Sequence, residues 1–321
     1  MIYGLTSGIL WGLDTVLLGT VLAMNKFIST EEAIFLAPFV STFLHDLSSA
    51  VWMGLYIAIK GKLNKTIIAL KTKSGRFIIL GAFLGGPVGM TGYLLAIKYI
   101  GPAYTAIISA LYPAIGAFLS YVFLNEKMKP ISIIGLFLSI LGVAILGYAP
   151  EGKMIVNLAL GLACALLCVV GWASEAVICA YGMKDDEVSP EESLQIRQLT
   201  SAIVYGFLII PIIRGIKFTL EVIPTITMVT IVVTSLAGTV SYIFYYKGIC
   251  KIGATKAMAL NITYSAWAIV LGIILLGNRV NAKSIICCLL IICGSVMSAG
   301  DMSELKSLFT NKKTINYNGS K

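Results

Sequence analysis

Charged side chains are scarce in this sequence. They make up 12% of its 321 residues, about half of the share that a soluble chain of this length carries. Hydrophobic residues make up 58%, and the mean hydropathy is +0.92. This composition excludes an ordinary soluble enzyme or binding protein. It predicts a polytopic membrane protein whose main partner is the lipid bilayer.

Metal-binding and catalytic patterns are also lacking. The seven cysteines fall in apolar runs and form no CxxC pair, and the chain has a single histidine. We therefore expect reduced, packed thiols, no metal and no cofactor. No nucleophile lies beside a base, and no glycine-rich phosphate loop is followed by lysine. We expect that the chain is not an enzyme, and a membrane-embedded enzyme is the weakest alternative.

Ten apolar segments follow one another with mostly short connections. Each is long enough for a membrane-spanning helix, so the predicted fold is all-α with ten transmembrane helices. Helices joined by short connections pack antiparallel. The segments run over about 3–24, 33–59, 77–97, 103–124, 130–148, 156–181, 193–213, 224–246, 254–277 and 282–300.

The second half of the sequence echoes the first at an offset of 152 residues. At that offset Tyr112 matches Tyr264, and Gly101 matches Gly253. Because five helices per half is an odd number, the two halves must face opposite ways across the membrane. Inverted repeats of this kind are typical of secondary transporters, with the binding site near the midplane. The expected domains are a first five-helix repeat over 1–149, a second, inverted repeat over 150–300 and a polar cytoplasmic tail over 301–321.

Basic residues are distributed unevenly between the connections. With alternating helices, sixteen Lys and Arg fall on the side that holds both termini, and seven fall on the other side. This bias predicts that both termini are cytoplasmic. The net charge of +9 is a topology signal on this reading, so we expect no nucleic-acid partner.

Glu175 places an ionisable carboxylate inside the sixth apolar segment. A carboxylate there is costly and by default marks a substrate or proton path. Trp172 lies three residues earlier, so its ring and the carboxylate share one helix face. An aromatic face beside an anion in a dry site is suited to an organic cation. Glu175 is therefore predicted to balance a bound cation.

Other ionisable residues also lie inside predicted segments. His45 is the first candidate for proton coupling, because the unperturbed pKa of histidine is about 6.5. The alternative is a buried structural network in which Asp46 or Glu175 pairs with Arg197, next to Gln198. The candidates for proton coupling are His45, Asp14, Asp46 and Glu175.

Aromatic residues recur at similar depths on four segments. A single aromatic ring in a helix bundle is usually packing, but rings on several helices are suited to a cage for a quaternary ammonium group. Asn261, Tyr264 and Trp267 follow one another at three-residue spacing. The predicted substrate-binding residues are Trp11, Trp172, Glu175, Tyr242, Asn261, Tyr264 and Trp267.

The sequence resembles the EamA-type drug/metabolite transporters and, more narrowly, the LicB-type bacterial choline permeases. The matching stretches include Ser7-Gly8-Ile9-Leu10-Trp11, His45-Asp46, Gly86-Pro87-Val88-Gly89-Met90, Trp172-Ala173-Ser174-Glu175 and Ile196-Arg197-Gln198. Asp14 departs from the family pattern, in which a small residue is usual. The resemblance implies proton-coupled import of choline across a plasma or inner membrane, with Trp11, Trp172, Tyr242 and Trp267 as the cage. The alternative function within transport is export of cationic drugs or amino-acid metabolites.

Overall fold

Ten helices long and apolar enough to cross a membrane occur in the computed structural model, which describes residues 1–148, 156–184, 187–279 and 281–299. We number them α1 to α10 in chain order. They are Ile2–Leu22, Glu31–Ile59, Lys73–Pro102, Tyr104–Leu124, Pro130–Gly147, Leu158–Gly182, Pro190–Ile212, Ile226–Ile252, Ala254–Leu276 and Ala282–Ala299. These helices confirm the predicted all-α polytopic fold.

Local sequence signals set the starts of several helices. The Thr30 side chain accepts a hydrogen bond from the Ala33 N–H at the start of α2, and Asn157 accepts one from Leu160 at the start of α6. A reciprocal capping box of Ser189 and Glu192 begins α7. These side chains satisfy backbone N–H groups that the first turn of a helix leaves unpaired.

The helix α8 ends later than the sequence predicted. It continues to Ile252 rather than to about 246. Its last turns include Lys247, whose ammonium lies 2.9 Å from a carboxylate oxygen of Glu191. Hydropathy falls where these charges begin, although the helical backbone continues beyond the apolar span.

The helix α3 contains a π-helical stretch over Leu84–Met90. Pro87 has no backbone N–H and obstructs the regular hydrogen-bond ladder, and wider turns are a common way to accommodate such a residue. A second π-helical stretch, Tyr205–Ile209, lies in α7. Both stretches lie on helices that contribute to the site described below.

The backbone conformation repeats at the predicted offset of 152 residues. The helix Tyr112–Leu124 recurs as Tyr264–Leu276, and α5 recurs as α10. Gly101 has φ 81° and ψ 164°, and Gly253 has φ 88° and ψ 158°. This agreement supports two repeats. The proposed boundary at 149/150 and the tail over 301–321 lie outside the described residues.

The two halves interlock through their first helices. The helix α1 packs against α8 and α9 of the second half, and α6 packs against α3 and α4 of the first half. The helices α5 and α10 pack against each other. The midplane around α1 and α6 is therefore built from both halves, as expected for a site at the interface of inverted repeats.

The alternating helices define two membrane faces. The N-terminal face carries the start of α1, the α4–α5 connection and the α8–α9 connection. The opposite face carries the α1–α2, α7–α8 and α9–α10 connections. Contacts between connections agree with this assignment, because Lys26 binds Glu221 at 2.8 Å on the opposite face.

Candidate functional site

A cavity of about 50 Å³, here called the chamber, lies where α1 and α6 meet the other half. Its wall combines aromatic rings with a carboxylate, an amide and two apolar side chains. It is lined by Trp11, Met90, Tyr112, Trp172, Glu175, Ala176, Tyr242, Tyr245, Asn261 and Tyr264.

Edge-to-face contacts fix the orientation of the chamber's rings. The ring centroids of Trp11 and Tyr242 lie 4.6 Å apart, with 69° between the ring planes. Trp172 and Tyr112 meet at 5.8 Å and 89°. Such arrangements are favourable because the positive edge of one ring meets the negative face of another. Aromatic faces arranged around a small cavity are suited to a quaternary ammonium ion.

Six of the seven predicted substrate-binding residues line the chamber. Trp267 does not line it; this residue packs on α1 at Gly12, where an added Cβ would lie 2.7 Å from the Trp267 Cβ. Tyr112 and Tyr245 line the chamber although the sequence analysis did not select them as ligands. The 152-residue match of Tyr112 with Tyr264, a predicted ligand, is a signal that could have identified Tyr112.

Hydrogen bonds fix the part of the chamber wall that Asn261 forms. Ser7 donates a hydrogen bond to Asn261 Oδ1 at 2.8 Å, and Asn261 Nδ2 donates to the Tyr112 hydroxyl at 3.3 Å. The Tyr112 hydroxyl donates in turn to the carbonyl of Met258 at 3.4 Å. These bonds tie α1, α4 and α9 together at one side of the chamber.

Arg197 joins its own helix, α7, to three other helices in the membrane interior. Its Nε donates to Glu175 Oε1 at 3.1 Å, and its Nη1 donates to Asp46 Oδ2 at 3.2 Å. The same Nη1 donates to Gln198 Oε1 at 2.9 Å, and Nη2 donates to the Tyr242 hydroxyl at 3.0 Å. The expected pairing of Arg197 with Asp46 or Glu175 is therefore present with both carboxylates.

His45 lies between two carboxylates of the same network. Its Nε2 is 3.0 Å from Asp14 Oδ1, and its Nδ1 is 3.6 Å from Asp46 Oδ1. Ser201 donates a 2.5 Å hydrogen bond to Asp46 Oδ2. Asp14, His45, Asp46, Glu175 and Arg197 thus form one continuous group, here called the ion cluster, with exposed fractions of 3% to 7%.

Glu175 belongs both to the ion cluster and to the chamber wall. Its Oε1 accepts hydrogen bonds from Arg197 Nε and from the Tyr246 hydroxyl, the latter at 3.0 Å. Its Oε2 lies against the backbone of α3, where a Cβ on Gly85 would be only 1.8 Å away. The close approach of α3 therefore requires glycine at this position and fixes the carboxylate in place.

The ion cluster contains more potential negative charge than positive charge. Three carboxylates face one guanidinium and one imidazole. With the carboxylates ionised, the formal charge is −2 when His45 is neutral and −1 when it is protonated. Uncompensated charge in a buried site is unfavourable, so a cation in the adjoining chamber is favoured.

A second cavity of about 400 Å³, here called the vestibule, adjoins the chamber. The two share Trp11, Met90, Trp172, Tyr242 and Tyr264 as wall residues. Further wall residues lie in the opposite-face halves of α1, α2 and α3, and they include Leu18, Leu22, Pro38, Leu94 and Ile97. The vestibule therefore extends from the chamber toward the opposite face, with His45 and Asp14 in its wall.

The side of the chamber toward the N-terminal face is closed by packed side chains. Tyr245 is 7% exposed, and Tyr246 and Met258 are fully buried. Among the described residues, the wall of the vestibule lies between the chamber and the opposite face, so access to the chamber is one-sided in this structure. One-sided access to a midplane site is the arrangement that alternating access requires.

The comparisons with known proteins agree with this architecture. The EamA-like transporter family matches residues 1–148 and 159–300, one match in each half. Protein LicB of Haemophilus influenzae is 30% identical over 306 residues, which cover 95% of this chain and 99% of that protein. One solved crystal structure superposes with a TM-score of 0.67 at 17% identity, covering 92% of this chain and 96% of the other, and this likeness shows the fold alone. The chain belongs to the EamA-like transporter family and is a multi-pass membrane transporter.

Proposed function

We propose that this transporter imports choline or a closely related quaternary ammonium compound together with protons. The observation that carries the proposal is the junction, at Glu175, of the aromatic chamber with a buried ion cluster of three carboxylates, one guanidinium and one imidazole. Aromatic faces and a nearby anion stabilise a cation that cannot donate hydrogen bonds. The resemblance to the LicB-type choline permeases supports the same substrate.

The charges of the ion cluster favour coupling to a proton. One quaternary ammonium ion and one proton on His45, added to Arg197, would balance the three carboxylates. The fully loaded site would then be formally neutral, which lowers the cost of moving it through a closed state. Neither ligand alone achieves this balance.

His45 is well placed to exchange that proton. It lies in the wall of the vestibule and contacts both Asp14 and Asp46. Asp46 connects it through Arg197 to Glu175 in the chamber. A proton that enters from the opposite face therefore reaches the ion cluster at His45. The cation reaches the same cluster at Glu175.

The proposed topology favours import over export. The excess of Lys and Arg on the N-terminal face supports a cytoplasmic location for both termini in a plasma or inner membrane. The vestibule would then open to the outside, ready to receive substrate. Export of a cationic drug or amino-acid metabolite remains the second candidate, because the chamber and ion cluster serve either direction.

Uptake by proteoliposomes tests the proposal. We expect labelled choline to accumulate when the interior is alkaline and to equilibrate only slowly without a proton gradient. Unlabelled tetramethylammonium should compete, whereas 3,3-dimethyl-1-butanol, the neutral isostere of choline, should not. Equal competition by the neutral isostere would refute recognition of the charge. Absence of choline uptake under both conditions would refute the proposed substrate.

A further inference from the structure

Glu126 connects the two halves at the N-terminal face. It follows Asn125, whose left-handed backbone, with φ 56°, ends α4. Its Oε1 accepts a hydrogen bond from the Ala254 N–H at 3.0 Å, and its Oε2 accepts one from the Thr255 N–H at 3.0 Å. The carboxylate of the α4–α5 connection thus caps the first turn of α9.

Three physical effects strengthen this cap. The first N–H groups of a helix have no partner within the helix, and the helix dipole favours negative charge at that end. Both carboxylate oxygens are used at once, and bonds to an ionised carboxylate are charge-assisted. Gly253 gives the carboxylate room, because a Cβ there would lie 2.7 Å from Glu126 Oε1.

The inverted repeat contains a second copy of these parts at the opposite face. Asn278 follows Glu126 by 152 residues, and Gly101 precedes Gly253 by the same number. The backbone angles of the two glycines agree closely. In an inverted repeat, the equivalent of the Glu126 cap would therefore join Asn278 to the backbone after Gly101.

The Asn278 side chain does not approach Gly101 in the way that Glu126 approaches Gly253. Asn278 follows the end of α9, and its Nδ2 lies 2.9 Å from the position of a Cβ on Gly272 in that helix. Among the described atoms, none from another element lies within 4 Å of the position of a Cβ on Gly101. The cap is thus closed at the N-terminal face and open at the opposite face, where the vestibule lies.

The two copies also differ in strength. Residue 278 is a neutral asparagine, whereas residue 126 is a carboxylate. Pro102 stands at the position equivalent to Ala254, so the opposite-face copy lacks one of the two N–H donors. A cap on that face would have one donor fewer and no charge on its acceptor.

We propose that Glu126 is a latch that holds the N-terminal face closed. Breaking its two hydrogen bonds is part of opening that face, and Asn278 then forms the weaker counterpart at the opposite face. The unequal latches bias the unliganded transporter toward the conformation with access from the opposite face. This inference concerns the conformational equilibrium and does not depend on the identity of the substrate.

Thiol accessibility in purified protein tests the latch. The seven native cysteines are replaced, and Ile249→Cys is introduced on α8, where Ile249 is 3% exposed near the N-terminal face. We expect Glu126→Gln to raise the rate of maleimide alkylation at this position by about 2- to 30-fold, the range that loss of a helix cap produces. Glu187→Gln is the matched control, because that carboxylate accepts from Ser74 at the same face and does not cap α9.

Building the cap at the opposite face provides a second, independent variant. Pro102→Ala with Asn278→Asp restores the missing N–H and adds the missing charge. We expect this pair also to raise alkylation of Ile249→Cys, although both substitutions lie at the other membrane face and cannot loosen α8 locally. The single variant Asn278→Ala should lower the rate, because it removes the weaker counterpart that stabilises the conformation with the N-terminal face open.

The outcomes separate clearly. A faster reaction in both Glu126→Gln and the Pro102/Asn278 pair, with Glu187→Gln unchanged, supports unequal latches. An unchanged rate in either test variant overturns the proposal, as does an equal increase in Glu187→Gln. If Glu126→Gln does not fold, the Pro102/Asn278 pair alone decides the question.

Discussion

Glu175 and Arg197 are joined by a 3.1 Å hydrogen bond although they lie on different membrane-spanning helices, α6 and α7. The arginine thus neutralises part of the charge of the carboxylate that we propose as the anion for the substrate. Glu175 also lines the chamber, so its role in the ion cluster and its role toward a ligand are physically linked.

We expect Glu175→Gln to abolish or sharply weaken choline binding, measured by calorimetric titration of purified protein. The amide keeps the shape of the side chain but removes the charge beside the chamber. Asp46→Asn is the matched control, because it removes another carboxylate from Arg197 but does not line the chamber. Equal losses in both variants would show that the charge of the ion cluster matters and the position of Glu175 does not.

Trp172→Ala should weaken choline binding by about 1–3 kcal/mol through lost cation–π attraction and lost burial. Trp11→Ala should have a comparable effect, and Tyr242→Ala a smaller one, because the Arg197 guanidinium already lies 4.6 Å from the centroid of that ring. Trp267→Ala is the internal control, because its ring lies outside the chamber. Similar affinities for Trp172→Ala and the unaltered protein would remove the aromatic box from the binding site.

His45→Ala should retain choline binding and choline–choline exchange but lose accumulation driven by a proton gradient. The substitution removes the group that we propose takes up the proton, and it leaves the chamber lining unchanged. The measurement is labelled uptake by proteoliposomes under exchange conditions and under an imposed gradient. Normal gradient-driven accumulation would transfer the proton role to the carboxylates.

Cysteines introduced near Lys65 and near Ser320, in a background without reactive native thiols, should resist an impermeant thiol reagent in intact cells. A cysteine introduced near Lys153 should react. This pattern follows from the excess of basic residues on the side of the termini. Labelling in the reverse pattern would contradict the proposed orientation.

Gly85→Ala should destabilise the protein by about 1–3 kcal/mol, the usual cost of overpacking. The added Cβ would meet Glu175 Oε2 at 1.8 Å. Gly54→Ala, whose nearest neighbour is Gln195 Nε2 at 3.9 Å, is the matched control. Thermal unfolding of the purified variants measures the difference, and equal midpoints would show that α3 moves aside freely.

The helices and the repeat could be predicted from the sequence because both leave local signals. A span needs a run of apolar residues. The repeat leaves glycine at both 101 and 253, an offset of 152, and both glycines have φ between 80° and 90°. The close approach of Gly85 to Glu175 had no such signal. It depends on how α3 packs against α6, and no residue pattern on either helix indicates that contact.

The chamber was predicted in part for a related reason. Asn261, Tyr264 and Trp267 follow at three-residue spacing, but three residues cover only about 300° of a helix with 3.6 residues per turn. Each step therefore falls about 60° short of a full turn around the helix. In addition, Ile262 and Thr263 form a turn within α9, and the helix resumes at Tyr264. Trp267 is thus carried away from the face that Asn261 presents to the chamber.

The guanidinium of Arg197 lies 4.6 Å from the centroid of the Tyr242 ring. One aromatic face of the chamber is therefore already occupied by a cation that belongs to the protein. An incoming ammonium ion can gain little there, because it would exchange one cation for another against the same ring. Discrimination among substrates of different size should instead arise at Trp11 and Trp172, where no internal competitor is present among the described contacts.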